Sequence, residues 1–198
     1  MKRNKIYYKV IGLAIAALTF GACSDTWDDH NNRAPEGVEE GSLWQAIQQN
    51  PELSNFSSVV EACGYDKSLA SAQVFTVFAP TNSCLSKEEA DKLIAAYNAE
   101  KDKFDDNDNS TIKEFLQNHI ALYNYSVSSS SNDSIVMMNG KNMVLTSSTI
   151  GDSPLTSTNK LYGNGVLFTV GSQVDYFPNV FEYIRRDADL DSLYSFFY

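Results

Sequence analysis

Histidine and cysteine are nearly missing from this chain: two of the first and three of the second in 198 residues. Metal centres and nucleophilic sites built on those residues have few members to draw on. No zinc-type spacing, phosphate-cradling glycine loop or nucleophile elbow occurs. Cations are scarce too, 15 basic side chains against 25 acidic ones, for a net charge of −10. Such a balance excludes nucleic acid and anionic membrane surfaces as natural partners. No apolar run reaches the ~20 residues that a membrane-spanning helix requires. Carboxylates are plentiful, but no spacing marks a catalytic pair of the kind glycosidases distribute along a chain. The chain reads as non-catalytic, with no cofactor and no metal.

What is present begins with an address. Lys2, Arg3, Lys5 and Lys9 precede the apolar run Val10 to Phe20, and Phe20-Gly21-Ala22-Cys23 closes it with small residues before a cysteine. This resembles a bacterial lipoprotein signal peptide, residues 1–22, cut before Cys23; Phe20 stands where an aliphatic residue is usual. The alternative is an ordinary secretory signal in which Cys23 has no role. Acyl chains on Cys23 would anchor the protein in the outer membrane, each buried CH₂ contributing about 0.8 kcal/mol.

The next stretch, Ser24 to Asn32, is polar and acidic. It resembles the segment that directs some lipoproteins of Gram-negative bacteria to the cell surface, and it reads equally as a solvated linker. Residues 23–41 are expected to form a flexible tether. Loss of the leader leaves eleven basic residues against twenty-five acidic ones, a balance of −14. Cys63 and Cys84 then remain, and two buried thiols are favoured over a bridge.

Ser42 and Gln45 form a capping-box pattern opening a helix, and Leu53, Phe56, Val59, Val60 and Cys63 recur at helical spacing before Gly64. Two helices are thus expected before Val74 to Asn82, a β-branched and aromatic strand that Pro80 ends. Thr81 or Asn82 is then expected to turn the chain and cap the following helix. Ser86 to Glu89 is another capping box, opening the longest helical pattern, with Ala90, Leu93, Ile94 and Tyr97 on one side. The acidic run Asp105 to Asn109 lacks the central glycine and distal carboxylate of a calcium loop and reads as solvated. Thr111 to Glu114 suggests one more capping box, before an apolar stripe that contains His119.

Leu122, Tyr123, Tyr125 and Val127 alternate as a strand. After the serine-rich loop 126–133, Ile135 to Met138 and Met143 to Leu145 flank Asn139-Gly140 as a hairpin. Asp133-Ser134-Ile135 matches a short bacterial O-glycosylation pattern, which makes Ser134 a candidate.

Phe75-Thr76-Val77-Phe78-Ala79-Pro80-Thr81-Asn82 resembles the first signature of the fasciclin domain. Asn164-Gly165-Val166-Leu167-Phe168-Thr169-Val170 resembles the second, with Phe168 where a histidine is often found. Leu116-Gln117-Asn118-His119-Ile120 is similar to the family's tyrosine-histidine motif, with Asn118 in place of tyrosine. In animal members that region is linked to integrin adhesion, a role the missing tyrosine weakens here. His119 is the candidate interaction or structural residue.

The resemblance implies an α+β fold: a fasciclin-like wedge of a mixed, largely antiparallel sheet or sandwich packed with several helices, over residues 42–176. At an offset of 137 residues, Ser42, Gln45, Ile47, Leu53 and Phe56 fall on Asn179, Glu182, Ile184, Leu190 and Leu193. Residues 177–198 therefore read as the start of a second, incomplete unit; a C-terminal helix pair completing one domain is the alternative. The expected function is a surface-exposed lipoprotein mediating adhesion or protein–protein interaction. Glycan or small-ligand binding beside an outer-membrane uptake system is the alternative, with Tyr123, Tyr125, Tyr162 and Tyr176 as stacking candidates.

Overall fold

A fully buried strand that ends in proline, followed by threonine and asparagine, places the centre of the fold. In the computed structural model, which describes residues 37–103, 108–157 and 159–197, that strand is β2, Phe75–Pro80, and every one of its residues is buried. Such a strand must be covered on both faces. It runs parallel to β9, Gly165–Val170, with Phe75 opposite Gly165 and Pro80 opposite Val170. On its other edge β3, Ile120–Leu122, is antiparallel. β8, Lys160–Tyr162, adds antiparallel to β9, and β1, Val38–Glu39, adds parallel to β8. The order of this mixed sheet is β1-β8-β9-β2-β3.

A second, antiparallel sheet has the order β4-β5-β6-β7, built from Asn132–Val136, Asn142–Thr146, Thr149–Ile150 and Ser153–Pro154. The alternation of side chains along β2 and β9 divides the core in two. Phe75, Val77, Ala79 and Leu167 face the helices: α1 (Leu43–Gln49), α2 (Ser54–Ala62), α3 (Asp66–Ala70) and α4 (Lys87–Glu100). Phe78, Val166, Phe168 and Val170 face Ile135, Met137, Leu145 and Ile150 of the second sheet. The result is helices, central sheet and second sheet in three layers, the α+β architecture that the sequence implied. The C-terminal segment adds α5 (Val180–Arg186) and α6 (Asp191–Tyr194).

The capping boxes at Ser42–Gln45 and Ser86–Glu89 form as expected, each with both reciprocal bonds. Gly165 makes the tight turn into β9. Its φ is +141°, and a Cβ there would collide with the Phe75 carbonyl oxygen.

Five local expectations are corrected. The tether expected over residues 23–41 ends earlier and the domain begins before Ser42, because the backbone of Val38–Glu39 pairs with β8 as the edge strand β1. A third short helix, α3, follows Gly64, because Tyr65 to Ala70 closes one more helical turn over buried Leu69. Residues 122–127 do not continue as a strand: Tyr123 has φ +73°, which ends β3, and the buried Thr76 hydroxyl takes over the pairing. It donates to the Tyr123 carbonyl at 2.9 Å and accepts from the Tyr125 N–H at 2.8 Å.

The Thr111 box does not form either. The helix over Thr111–Leu116 is of π type, its N-terminal N–H at Ile112 is met by the Asn109 side chain, and the Thr111 hydroxyl instead donates to the Leu93 carbonyl. Finally, Asn82 caps the wrong helix for the sequence reading. Its Oδ1 accepts from the Asn55 N–H of α2 at 3.1 Å, and its Nδ2 donates to the Pro51 carbonyl at 2.9 Å. α4 has its own cap in Ser86. The leader, Cys23, His30, tether residues 23–36 and acidic-loop residues 104–107 lie outside the described residues.

Candidate functional site

The parallel pair β2 and β9 is where the motif residues meet. Phe78 and Phe168 sit opposite each other in register, and their rings stack with centroids 5.3 Å apart. The Phe78 N–H donates to the His119 carbonyl at 2.8 Å, which brings the histidine motif against the first strand. His119 is buried at the bend between the π-helix and β3. Its Nδ1 lies 2.8 Å from the Phe115 carbonyl and its Nε2 3.0 Å from the Val174 N–H. A carbonyl can only accept and an N–H can only donate, so Nδ1 carries the proton and Nε2 is the acceptor. The ring is neutral: burial pushes its pKa down to about 4, against the upward pull of the Phe115 carbonyl.

Asn118 is equally closed in. Its Nδ2 donates to the Val174 carbonyl at 2.9 Å, and its Oδ1 accepts from Asn139 Nδ2 at 2.9 Å. This ties the π-helix, the hairpin turn and the segment after β9 into one network, with every polar group spoken for. His119 thus organises backbone rather than presenting a nitrogen to solvent.

Beyond Val174 the surface becomes charged. Glu182 accepts from Lys141 Nζ at 2.6 Å and pairs with Lys113 Nζ at 3.2 Å. Burial would raise its pKa, but the bonds from Lys141 and the Asn179 backbone outweigh that and hold it at about 2. Arg185 meets Asp108 at 2.8 Å, and Arg186 pairs with Glu114. Between these groups lies Tyr176, with Lys141 Nζ and the Arg186 guanidinium each 5.2 Å from its ring centroid. Burial and then the adjoining Glu182 carboxylate push the Tyr176 pKa up. A cavity of about 280 Å³ opens here, lined by Lys113, Glu114, Tyr176, Glu182, Arg185 and Arg186. Each of these cations already faces a carboxylate, so the cavity is a latch between elements.

A larger groove of about 640 Å³ runs along α1 and the outer strands, with Glu39, Glu40, Gln49, Lys160, Tyr162 and Thr169 in its lining. Burial and then Glu39 raise the Tyr162 pKa. Ser134 is exposed on β4, which lies at the edge of its sheet rather than in a loop. Cys63 is buried and Cys84 half-buried, with no disulfide. Tyr123 is exposed, while Tyr125, Tyr162 and Tyr176 are half-buried. Among the described residues no group of three His, Cys, Asp or Glu is placed to hold a metal ion, and no helix is long and apolar enough to cross a membrane.

The sequence profile of the Fasciclin domain matches residues 51–173. The chain belongs to the fasciclin family. Fasciclin domains are associated with adhesion or protein interaction. Among solved structures, the fasciclin chain is similar to a FAS1 domain pair from the insect cell adhesion molecule fasciclin I. Identity is 14% and the TM-score 0.48, over 68% of this chain and 50% of that one. The chain therefore spans half the length of that structure. No curated protein matches it.

Sequence reasoning missed the two signature asparagines as ties. Asn164 accepts from the Leu43 N–H at 2.8 Å and donates to the Leu69 carbonyl at 2.7 Å, fastening α1 and α3 to the turn before β9. Asn82 does the same for α2. Glu182 was visible only as a capping residue. Its lysine partners lie far off in sequence, and nothing in local pattern marks them.

Proposed function

We propose that this protein is a non-catalytic, surface-exposed lipoprotein of a Gram-negative bacterium that mediates adhesion or protein–protein interaction through its fasciclin domain. A leader over residues 1–22 is removed, acyl chains on Cys23 hold the protein in the outer membrane, and the residues between Cys23 and the start of β1 at Val38 form the tether that carries the domain outward. The observation that carries the reading is the fasciclin domain itself, matched over residues 51–173. The state of His119 supports it: the residue best suited to proton chemistry near neutral pH is buried with both ring nitrogens engaged in backbone bonds. What the domain offers outward is surface.

Two measurements test this. Cys23→Ala should move the protein from the membrane fraction to the soluble periplasmic or secreted fraction; a variant that stays membrane-bound removes the anchor from the proposal. The mature domain, immobilised, should capture a host-matrix or bacterial-surface protein at salt concentrations that abolish non-specific binding. Retention of none above a denatured control counts against adhesion.

A second reading, glycan binding beside an uptake system, draws on the 640 Å³ groove, where Tyr162 adjoins Glu39, Glu40 and Lys160. Polar side chains around one aromatic body suit a sugar. On a glycan array, a hit lost with Tyr162→Ala would favour this reading over adhesion.

A further inference from the structure

The second sheet is incomplete along one side of β5. On its other side β5 pairs with β4 over its whole length, from Thr146 opposite Asn132 to Asn142 opposite Val136. β6 is only two residues long and meets β5 where Ile150 faces Leu145. The turn that follows adds one bond, from the Gly151 N–H to the Val144 carbonyl at 2.8 Å, before the chain departs into β7. Nearer the hairpin, β5 has no strand beside it. The Met137 N–H donates to the Lys141 carbonyl at 2.8 Å. Backbone groups alternate in direction along an antiparallel ladder, so Met143 and Leu145 turn theirs to β4, and Asn142 and Val144 turn theirs away from it. Among the described residues, no hydrogen bond meets the N–H of Asn142 or Val144, or the carbonyl of Asn142. Such a row is a template for one more strand.

A groove of about 350 Å³ lies at this open stretch. Its apolar lining comes from Met143 and Val144 of β5, Ile150 of β6, and Val174 and Phe177 of the segment after β9. Met143, Ile150 and Val174 are buried, whereas Val144 and Phe177 stand 48% and 67% exposed. Two carboxylates, Asp152 and Asp175, complete the lining. Both residues are exposed, and neither has an ion pair among the described residues. Lys141, also at the groove, is already committed to Glu182 at 2.6 Å. The groove therefore offers three things together: open backbone groups, an apolar lining and uncompensated negative charge.

We propose that this groove takes an extended peptide segment of a partner protein, added beside β5 as a short strand. One apolar side chain of that segment packs against Met143, Ile150 and Val174, and lysine or arginine near it faces Asp152 and Asp175. Main-chain bonds to Asn142 and Val144 give the affinity, and the side-chain lining gives the choice of sequence. A compact apolar ligand would leave the backbone groups and both carboxylates unmet. A second copy of this chain, with its net charge of −10, would bring like charge to like. The inference rests on the protein-interaction reading above and gives that partner a chemistry.

The test uses the whole chain and two sets of blocked heptapeptides. Each peptide has a central leucine, isoleucine, valine or phenylalanine with two threonines on either side; lysine stands at both ends in one set and glutamate in the other. Amide hydrogen exchange followed by NMR should slow several-fold at Asn142 and Val144 with the lysine set and stay unchanged with the glutamate set. Asp152→Asn combined with Asp175→Asn should weaken binding of the lysine set about fivefold, as the loss of two surface ion pairs would, with exchange in β2 and β9 unaltered. Equal slowing by both sets, or by neither, overturns the proposal, and so does slowing that the double substitution leaves untouched. Protection of the two amides that appears without peptide as protein concentration rises would make the occupant a second copy, and overturns it as well. A surface protein captured by the domain while the lysine set leaves both amides fast would sink the groove and keep the interaction reading. Slowed amides with no protein captured would do the reverse.

Discussion

The ring of Phe78 stacks on the ring of Phe168 across the parallel pair β2 and β9, planes 10° apart and centroids 5.3 Å apart. Each comes from one signature motif, so the motifs meet as core. Phe168→Ala should cost about 3–5 kcal/mol in urea unfolding, since a large cavity opens between two sheets that cannot collapse onto it. Phe78→Asp should give no folded protein, because a carboxylate in that place has no partner. A folded Phe78→Asp protein with only its binding lost would instead make the strand a recognition surface.

Stability should fall in two successive, partly overlapping steps on acidification. His119 has its pKa pushed from 6.5 down to about 4, so the unfolded chain takes up the proton first. Its contribution is complete above pH 6.5 and is lost as pH falls through 4, by about 3 kcal/mol in all. Glu182, lowered from 4.5 to about 2, contributes fully above pH 4.5 and is lost as pH falls through 2. Urea melts from pH 7 to 2 should show His119→Gln flattening the upper window and Glu182→Gln the lower. An unchanged slope between pH 6.5 and 4.5 in His119→Gln would assign that step to another group.

Asn82 bridges 27 residues to accept the Asn55 N–H at the start of α2. Replacing it with alanine removes an acceptor for Asn55 and a donor to Pro51 and Ser54, and should cost about 1–2 kcal/mol. Asn82→Asp keeps the acceptor and should cost less. Equal losses in the two variants would mean that the donor side carries the tie.

These ties mark the limit of what the sequence made legible. Periodic and local signals were read correctly: the capping boxes at Ser42 and Ser86, the Asn139-Gly140 hairpin, the two buried strands and the α+β class all depend on neighbours within four residues or on burial pattern. Elements decided by distant partners were not. The Tyr123 break follows from Thr76, 47 residues away, claiming its carbonyl. The π-helix start follows from Thr111 turning to Leu93. At the candidate site, the sequence picked out His119 but not what holds it, because Val174 lies 55 residues on and contributes only a backbone N–H.

Glu182 performs two tasks that one substitution can separate. As the third residue of α5 it completes the capping box with Asn179, accepting from the Asn179 N–H at 2.8 Å. As a carboxylate it also receives Lys113 and Lys141. Glutamine keeps the first task, since Gln45 does the same at α1, and loses the charge on which the second depends. Glu182→Gln should therefore leave α5 helical but weaken its hold on the domain by roughly 1–2 kcal/mol, the range for charged hydrogen bonds that are partly buried. Hydrogen exchange should accelerate over residues 180–186 while β2 and β9 keep their protection, and 0.5 M salt should reproduce part of the effect in the unsubstituted protein. If exchange in α5 stays slow, buried Ile184 holds the helix and the ion pairs contribute nothing measurable.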